Sequence, residues 1–246
     1  MEHVTFNSLG TRCAGDLYLP PTREPVPGLV LGHSGVMVKE ALAVFAPYFV
    51  RAGFAVLDRR ISCVVVQSPS VWNGWRYLER LMGRAGVHAL RDELRQDWQR
   101  RYEGGQSARV PHLTLDHDSV KDAPDMSTRL FPTYRNEKTL DSVEHLLTFA
   151  PANLIHRLAP TPLLMIANGG WDPYHILEEA QSAFDRAGEP KRLEVLPYDV
   201  LGLYTGPGLD EAMTLAVDWF DLHLRRTPLA AVTPVPAYET VAAMTQ

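Results

Sequence analysis

Cysteine is scarce in this chain, and its scarcity excludes one class of protein. Cys13 and Cys63 are too few and too far apart for a disulfide framework or a zinc site; they suit a reducing compartment and read as buried thiols. No run approaches the roughly 18 consecutive apolar residues that a membrane span needs. The opening stretch MEHVTFNSLG lacks the basic and apolar regions of a signal peptide. A soluble, cytosolic protein with no membrane partner is expected. There is also no long block of one charge: charged residues make up 22% and the net charge is -5, which argues against a nucleic-acid partner.

What is present is ordinary globular composition. Hydrophobic residues form 46% of 246 positions, enough for one good-sized core, and α/β chains of this length commonly make a single domain. We expect one domain over 1–225, with a helical cap at about 71–138. The stretch 226–246, rich in Pro, Ala, Val and Thr, reads as a flexible tail or an arm laid on a partner.

Hydrophobic periodicity divides the chain into elements. Val4 to Asn7 and Arg12 to Leu19 predict an opening hairpin, stopped by Pro20 and Pro21. GLVLG at 28–32 suits a strand buried on both faces. Lys39 to Ala52 is helical, with Leu42, Phe45, Phe49 and Val50 on one face and Gly53 at its end; Phe54 to Leu57 is a second strand. Such a strand-helix-strand unit belongs in a parallel sheet with right-handed crossovers. Ser62 to Gln67 then reads as another strand after only about four residues, whereas a parallel neighbour needs a crossover of a dozen or more. It must run antiparallel, lie elsewhere in the sheet, or continue the previous strand around a bend.

Farther on, Val71 to Tyr102 is helical, and 104–134 is a loop-rich excursion of the kind that forms lids. Thr139 to Leu158 is helical with a break near Pro151 and a cap at Thr139 or Asp141. A strand at Pro162 to Ala167, a helix at Ile176 to Ala187, a strand at Arg192 to Leu196 and a helix at Asp210 to Arg225 complete the chain.

In this order, GDLYLPP at 15–21, GLVLGHSGVMVKE at 28–40, RAGFAVLDRR at 51–60, PTPLLMIANGGWDP at 160–173 and LEVLPYDVLGLYTGPG at 193–208 resemble the dienelactone-hydrolase and acyl-esterase side of the α/β-hydrolase superfamily. The resemblance implies a truncated α/β-hydrolase-like fold, a mostly parallel sheet flanked by helices. It also implies two losses. No G-x-S-x-G elbow occurs; by the family's order it belongs between the strand ending near Asp58 and the strand at Cys63, where a strand, its elbow and flanking helices are missing. Aligned on Leu196-Pro197 and on Tyr204 to Gly208, the family's catalytic His falls at Val200, which cannot accept a proton. The Ser is lost with its segment and the His by substitution, which points to a protein reshaped away from Ser hydrolysis.

Several candidates remain. Asp172 stands at the family's acid position; without that His it is available as a base or ligand anchor, or it caps the following helix with Pro173 at the first position. His33 and Ser34 fall in the family's oxyanion loop. His33 is a candidate acid or base or a structural imidazole; Ser34 is a substrate contact, a structural residue or a displaced nucleophile. His175 lies one helical turn from Asp172 and is either its neighbour or solvated. Asp58 and Arg59, with Arg60, end a strand at the carboxyl edge, where open α/β sheets bind ligands, and either line the pocket or pair with each other. Trp72, Trp75 and Tyr77 form core or wall an apolar pocket, and Trp171 and Tyr198 are further candidate substrate contacts. His112, His117, Asp116 and Asp118 match no zinc or calcium spacing, so neither metal nor cofactor is expected.

Three functions fit. The first is a non-hydrolytic cyclase, isomerase or lyase of secondary metabolism, working by acid/base chemistry on a small apolar acyl or polyketide-like molecule with Asp172 and His33. The second is a rewired esterase or lactonase using Ser34 or Ser62, and the third an inert binding or scaffold protein. Loss of a central strand also leaves apolar surface or sheet edge, so a homodimer is expected, covered by 71–102 or by the tail.

Overall fold

The computed structural model describes residues 1–8, 11–22, 24, 26–32, 39–56, 62–70, 74–111, 133–170, 172 and 174–224. His33, Ser34, Asp58, Arg59, Arg60, Trp72, Trp171 and Pro173, the cluster at 112–118 and the tail at 226–246 lie outside them.

Strands β1 (Glu2–Ser8) and β2 (Thr11–Leu17) pair antiparallel as the opening hairpin. Strand β3 (Gly28–Leu29) pairs in parallel with β4 (Ala55–Val56) across a crossover made of a 3-10 turn, Lys39–Val44, and helix α1 (Ala46–Arg51). The predicted helix at 39–52 is therefore tight in its first half and α-helical in its second. Phe45 and Phe49 are buried on the anticipated face, with Leu42 and Val50 packed beside them. Gly53, at φ +80°, turns the chain out of α1 in the left-handed conformation that glycine adopts freely.

The second ladder is β5 (Val64–Gln67), β8 (Leu163–Asn168) and β9 (Lys191–Leu196), all parallel in the order β5-β8-β9. This resolves the difficulty at Ser62: β5 does not pair with β4 but lies elsewhere, against β8. Among the described residues the sheet thus falls into a β3-β4 part and a β5-β8-β9 part. Only residues 57–63 connect β4 to β5, too few for a strand, an elbow and its helix.

Strand β8 is buried along its whole length, as a central strand covered on both faces must be. Its alternation separates two cores. Leu164 and Ile166 face α1 and helix α5 (Gly206–Leu224), with Phe54, Leu203, Met213 and Phe220. Leu163, Met165 and Ala167 face helix α4 (Leu177–Arg186), with Ala180 and Ala183. Edge-to-face rings of Phe49 and Phe54 on Phe220, at 5.7 and 6.1 Å, and the Tyr48 hydroxyl donating to Asp210 at 2.5 Å join α1 to α5.

The cap is helical. Helix α2 (Gly74–Tyr102) is kinked at Gly83, whose φ of +66° no helix interior accepts, and packs on α3 (Leu140–Thr148) around Leu140, Val143 and Leu147. Short strands β6 (Arg109–Val110) and β7 (Lys138–Thr139) pair antiparallel beneath them. Thr139 caps α3 by accepting from the Ser142 amide, and Pro151 begins a 3-10 turn after the helix has ended.

Asp97 locks this cap from within: its carboxylate, 1% exposed, accepts from the Ser107 hydroxyl, the Ala108 amide and Arg100 and Arg101. Burial pushes the Asp97 carboxyl up, but those donors and the two guanidinium charges hold it below its ordinary value. Arg101 continues to Asp141 and Glu144 of α3. No described helix is long and apolar enough to cross a membrane.

Candidate active site

Parallel strands release their loops at the carboxyl edge, so the chemistry of this sheet lies beyond Asn168 and Leu196. Two glycines set the loop after β8. The Gly169 amide donates to Leu196 O at 2.7 Å and the Gly170 amide to Tyr198 O at 3.0 Å. A Cβ on Gly170 would stand 2.7 Å from the Asp199 nitrogen, so only glycine lets the β8 and β9 loops lie in contact.

Asp172 follows this contact. One carboxylate oxygen accepts the amides of Tyr174 at 2.7 Å and His175 at 3.0 Å; the other lies 2.9 Å from His175 Nδ1. The Asp172 side chain is 1% exposed and that of His175 13%. Burial pushes the Asp172 carboxyl up, but the hydrogen bond and charge of His175 and the two backbone amides outweigh it and hold the group below its ordinary value.

An ionised carboxylate only accepts, so Nδ1 carries the proton in this contact, and in a neutral imidazole so held the lone pair lies on Nε2. The pair therefore has the form in which an imidazole serves as a base while an acid fixes its tautomer. Asp172 does not cap α4, whose first residue is Leu177 behind an Ile176 N-cap. It accepts instead the amides two and three residues on, and the same short separation leaves the imidazole against the carboxylate.

Three tyrosines stand around the pair. The rings of Tyr77 of α2 and Tyr174 are 6.5 Å apart. Burial, with the charge of Asp172 and Tyr134 beside it, pushes the Tyr174 phenol up to about 12. Burial pushes Tyr77 up too, helped by Tyr174 and Asp172. Both phenols stay protonated at neutral pH and can donate to a developing oxyanion. Arg76 reaches Glu179 at 3.5 Å beside them.

Other candidates sit elsewhere. Trp75 packs in the cap interior with Leu140, Val143 and Leu147, and the Arg91 guanidinium covers its ring at 4.7 Å. The Tyr198 hydroxyl donates to Glu211 of α5 at 3.3 Å. Val200 lies in the turn after β9, which Asp199 closes by accepting the Gly202 amide. Cys63 is half-buried, and burial pushes its thiol up to about 12, so it is no nucleophile. Ser62 precedes β5 and matches the position before Pro162, roughly 20 Å along the strands from Asn168. It cannot reach His175.

Asp172 is a candidate from the sequence, His175 an open one and Tyr77 part of a Trp-Tyr cluster; Tyr134, Tyr174 and Asn168, which lie close by in the fold, carry no motif in the sequence. The D-x-x-H spacing was the available signal.

No family model matches the chain, and no curated protein matches it. Solved structures do. The α/β hydrolase GrgF from Penicillium sp. sh18 is 16% identical, with a TM-score of 0.73 over 90% of this chain and 98% of its own. DcsB, determined with an analogue of its substrate, is 15% identical with a TM-score of 0.73 over the same shares. A soluble variant of monoglyceride lipase from Saccharomyces cerevisiae, in complex with a substrate analogue, is 9% identical with a TM-score of 0.55 over 90% of this chain and 96% of its own. At such identities the likeness speaks for the fold alone. With the hairpin, the parallel ladders flanked by α1, α4 and α5, and the helical cap, it shows that this chain has the α/β-hydrolase fold.

Proposed function

We propose that the chain is a non-hydrolytic enzyme that cyclises, isomerises or eliminates from a small apolar acyl or polyketide-like molecule by acid/base chemistry. One observation carries the proposal: the buried Asp172 carboxylate holds the His175 imidazole at 2.9 Å. The chain meanwhile has no G-x-S-x-G elbow and carries Val200 at the family's histidine position. In this reading Nε2 of His175 removes a proton from the carbon beside a carbonyl, Asp172 stabilises the imidazolium, and a tyrosine hydroxyl donates to the enolate oxygen. Returning the proton elsewhere isomerises; closing the carbanion on a second carbonyl cyclises; expelling a β-substituent eliminates. His33 remains a second candidate proton carrier on sequence grounds.

Medium-chain acyl thioesters incubated in D2O test this by mass spectrometry. Deuterium at the α-carbon is expected with the natural protein, and about 100-fold less with His175→Asn. Equal exchange by the variant overturns the role of His175. A stoichiometric fluorophosphonate adduct, with products heavier by one water, overturns the non-hydrolytic reading. Thioesters returned unlabelled and unchanged overturn the enzyme in favour of a binding protein.

A further inference from the structure

The carboxyl ends of β5 and β8 carry a group of polar atoms that the fold buries without satisfying. Asn168 is 1% exposed, and among the described residues neither end of its amide has a hydrogen-bond partner. The same holds for the Ser68 hydroxyl, on a residue 7% exposed, and for Gln67 Oε1. Buried polar groups are nearly always paired, and each orphan costs free energy, so four such atoms on two adjacent strand ends call for an explanation.

The register places Gln67 and Asn168 on one face, with Ser68 next to Gln67 at the strand end. Gln67 pairs with Ile166, and the Ser68 amide donates to Ile166 O at 2.8 Å. Asn168 shares the parity of Leu164 and Ile166, which face α1 and α5; Gln67 shares that of Val65, packed on the same core. Gln67 and Asn168 are thus diagonal neighbours on one face, within reach of long side chains. Ser68 turns the strand off beside them at φ +48°, a conformation uncommon for a residue other than glycine. Four residues farther along β8's chain stands Asp172.

We propose that Gln67, Ser68 and Asn168 form a subsite for a neutral polar group, a hydroxyl or primary amide of the substrate, rather than a carboxylate. Gln67 Nε2 donates to Leu203 O at 2.9 Å, so the orphaned atom of this amide is the acceptor Oε1. The step then offers two carbonyl-type acceptors, one amide donor and one hydroxyl. Two acceptors repel an anion and demand donor hydrogens, which a hydroxyl or primary amide supplies. This names the substrate class for the acid/base reading above and rests on it for the function of the bound molecule, though not for binding.

Calorimetric titration of 3-hydroxyoctanamide and 3-hydroxyoctanoate into the His175→Asn protein tests it without turnover. The amide is expected to bind at least about 10-fold tighter than the carboxylate. Asn168→Leu is expected to weaken the amide about 10-fold yet raise the melting temperature by about 3 °C, because two buried orphan atoms are removed. Ser68→Gly, where φ already suits glycine, is expected to weaken it about 5-fold. Equal binding of acid and amide overturns the subsite, as does amide binding unchanged in both variants. A lower melting temperature for Asn168→Leu also overturns it, since the amide is then satisfied structurally. Failure of deuterium exchange with these results intact would sink the acid/base reading alone.

Discussion

Asp172 offers the sharpest test of the site, because its three acceptor contacts can be removed together or the His175 contact alone. Asp172→Ala leaves two part-buried amides and the Nδ1 proton of His175 without an acceptor. Hydrogen bonds to a charged group contribute about 1.5–3 kcal/mol each, and part of the loss is recovered as the turn 172–175 relaxes, so about 4 kcal/mol of destabilisation is expected. Asp172→Asn keeps one carbonyl-type oxygen for the two amides and costs about 1–2 kcal/mol. It also places an NH2 against Nδ1, which favours the tautomer with the proton on Nε2 and removes the base. Urea denaturation gives the energies, and 15N shifts of the imidazole give the tautomer.

The pH dependence follows from the same contacts. The folded carboxyl lies below its unfolded value near 3.9, so its contribution is complete above that value and is lost as pH falls through the folded pKa. Asp172→Asn should therefore lose less stability than the natural protein as pH drops below about 4. A cost under about 1 kcal/mol for Asp172→Ala, or an unchanged tautomer in Asp172→Asn, would refute the geometry described.

Two further outcomes concern the scaffold. Gly170→Ala drives a Cβ into the Tyr198–Asp199 backbone and is expected to cost about 3 kcal/mol in chemical denaturation while displacing Asp172; a stable, unperturbed variant would disprove the close loop contact. Asp97→Ala takes the acceptor from the Ser107 hydroxyl and the Ala108 amide and removes one partner from each of Arg100 and Arg101; a loss of about 3 kcal/mol and early proteolysis between α2 and α3 are expected, and unchanged proteolysis would contradict the lock.

Much of the architecture was legible in the chain because burial leaves a local periodic record. The unbroken apolar run at 162–167 announced a strand covered on both faces, and the spacing of Phe45 and Phe49 announced the buried face of α1. The absence of a G-x-S-x-G motif and the Val at 200 are facts of sequence as well.

Partner choice was not legible. Val65 meets Leu164 across almost a hundred residues of intervening cap, and nothing local to either says that β5 leaves β4 for β8. That choice is made by which surfaces remain to be covered once the chain is packed. The Asp172–His175 contact was decided in the same way: D-x-x-H is common spacing, and only the fold, with the Tyr174 and His175 amides bonded to the same carboxylate, brings the His175 ring onto Asp172. The orphaned amide of Asn168 belongs to the tertiary level too, because no sequence tells an asparagine that water has been taken away from it.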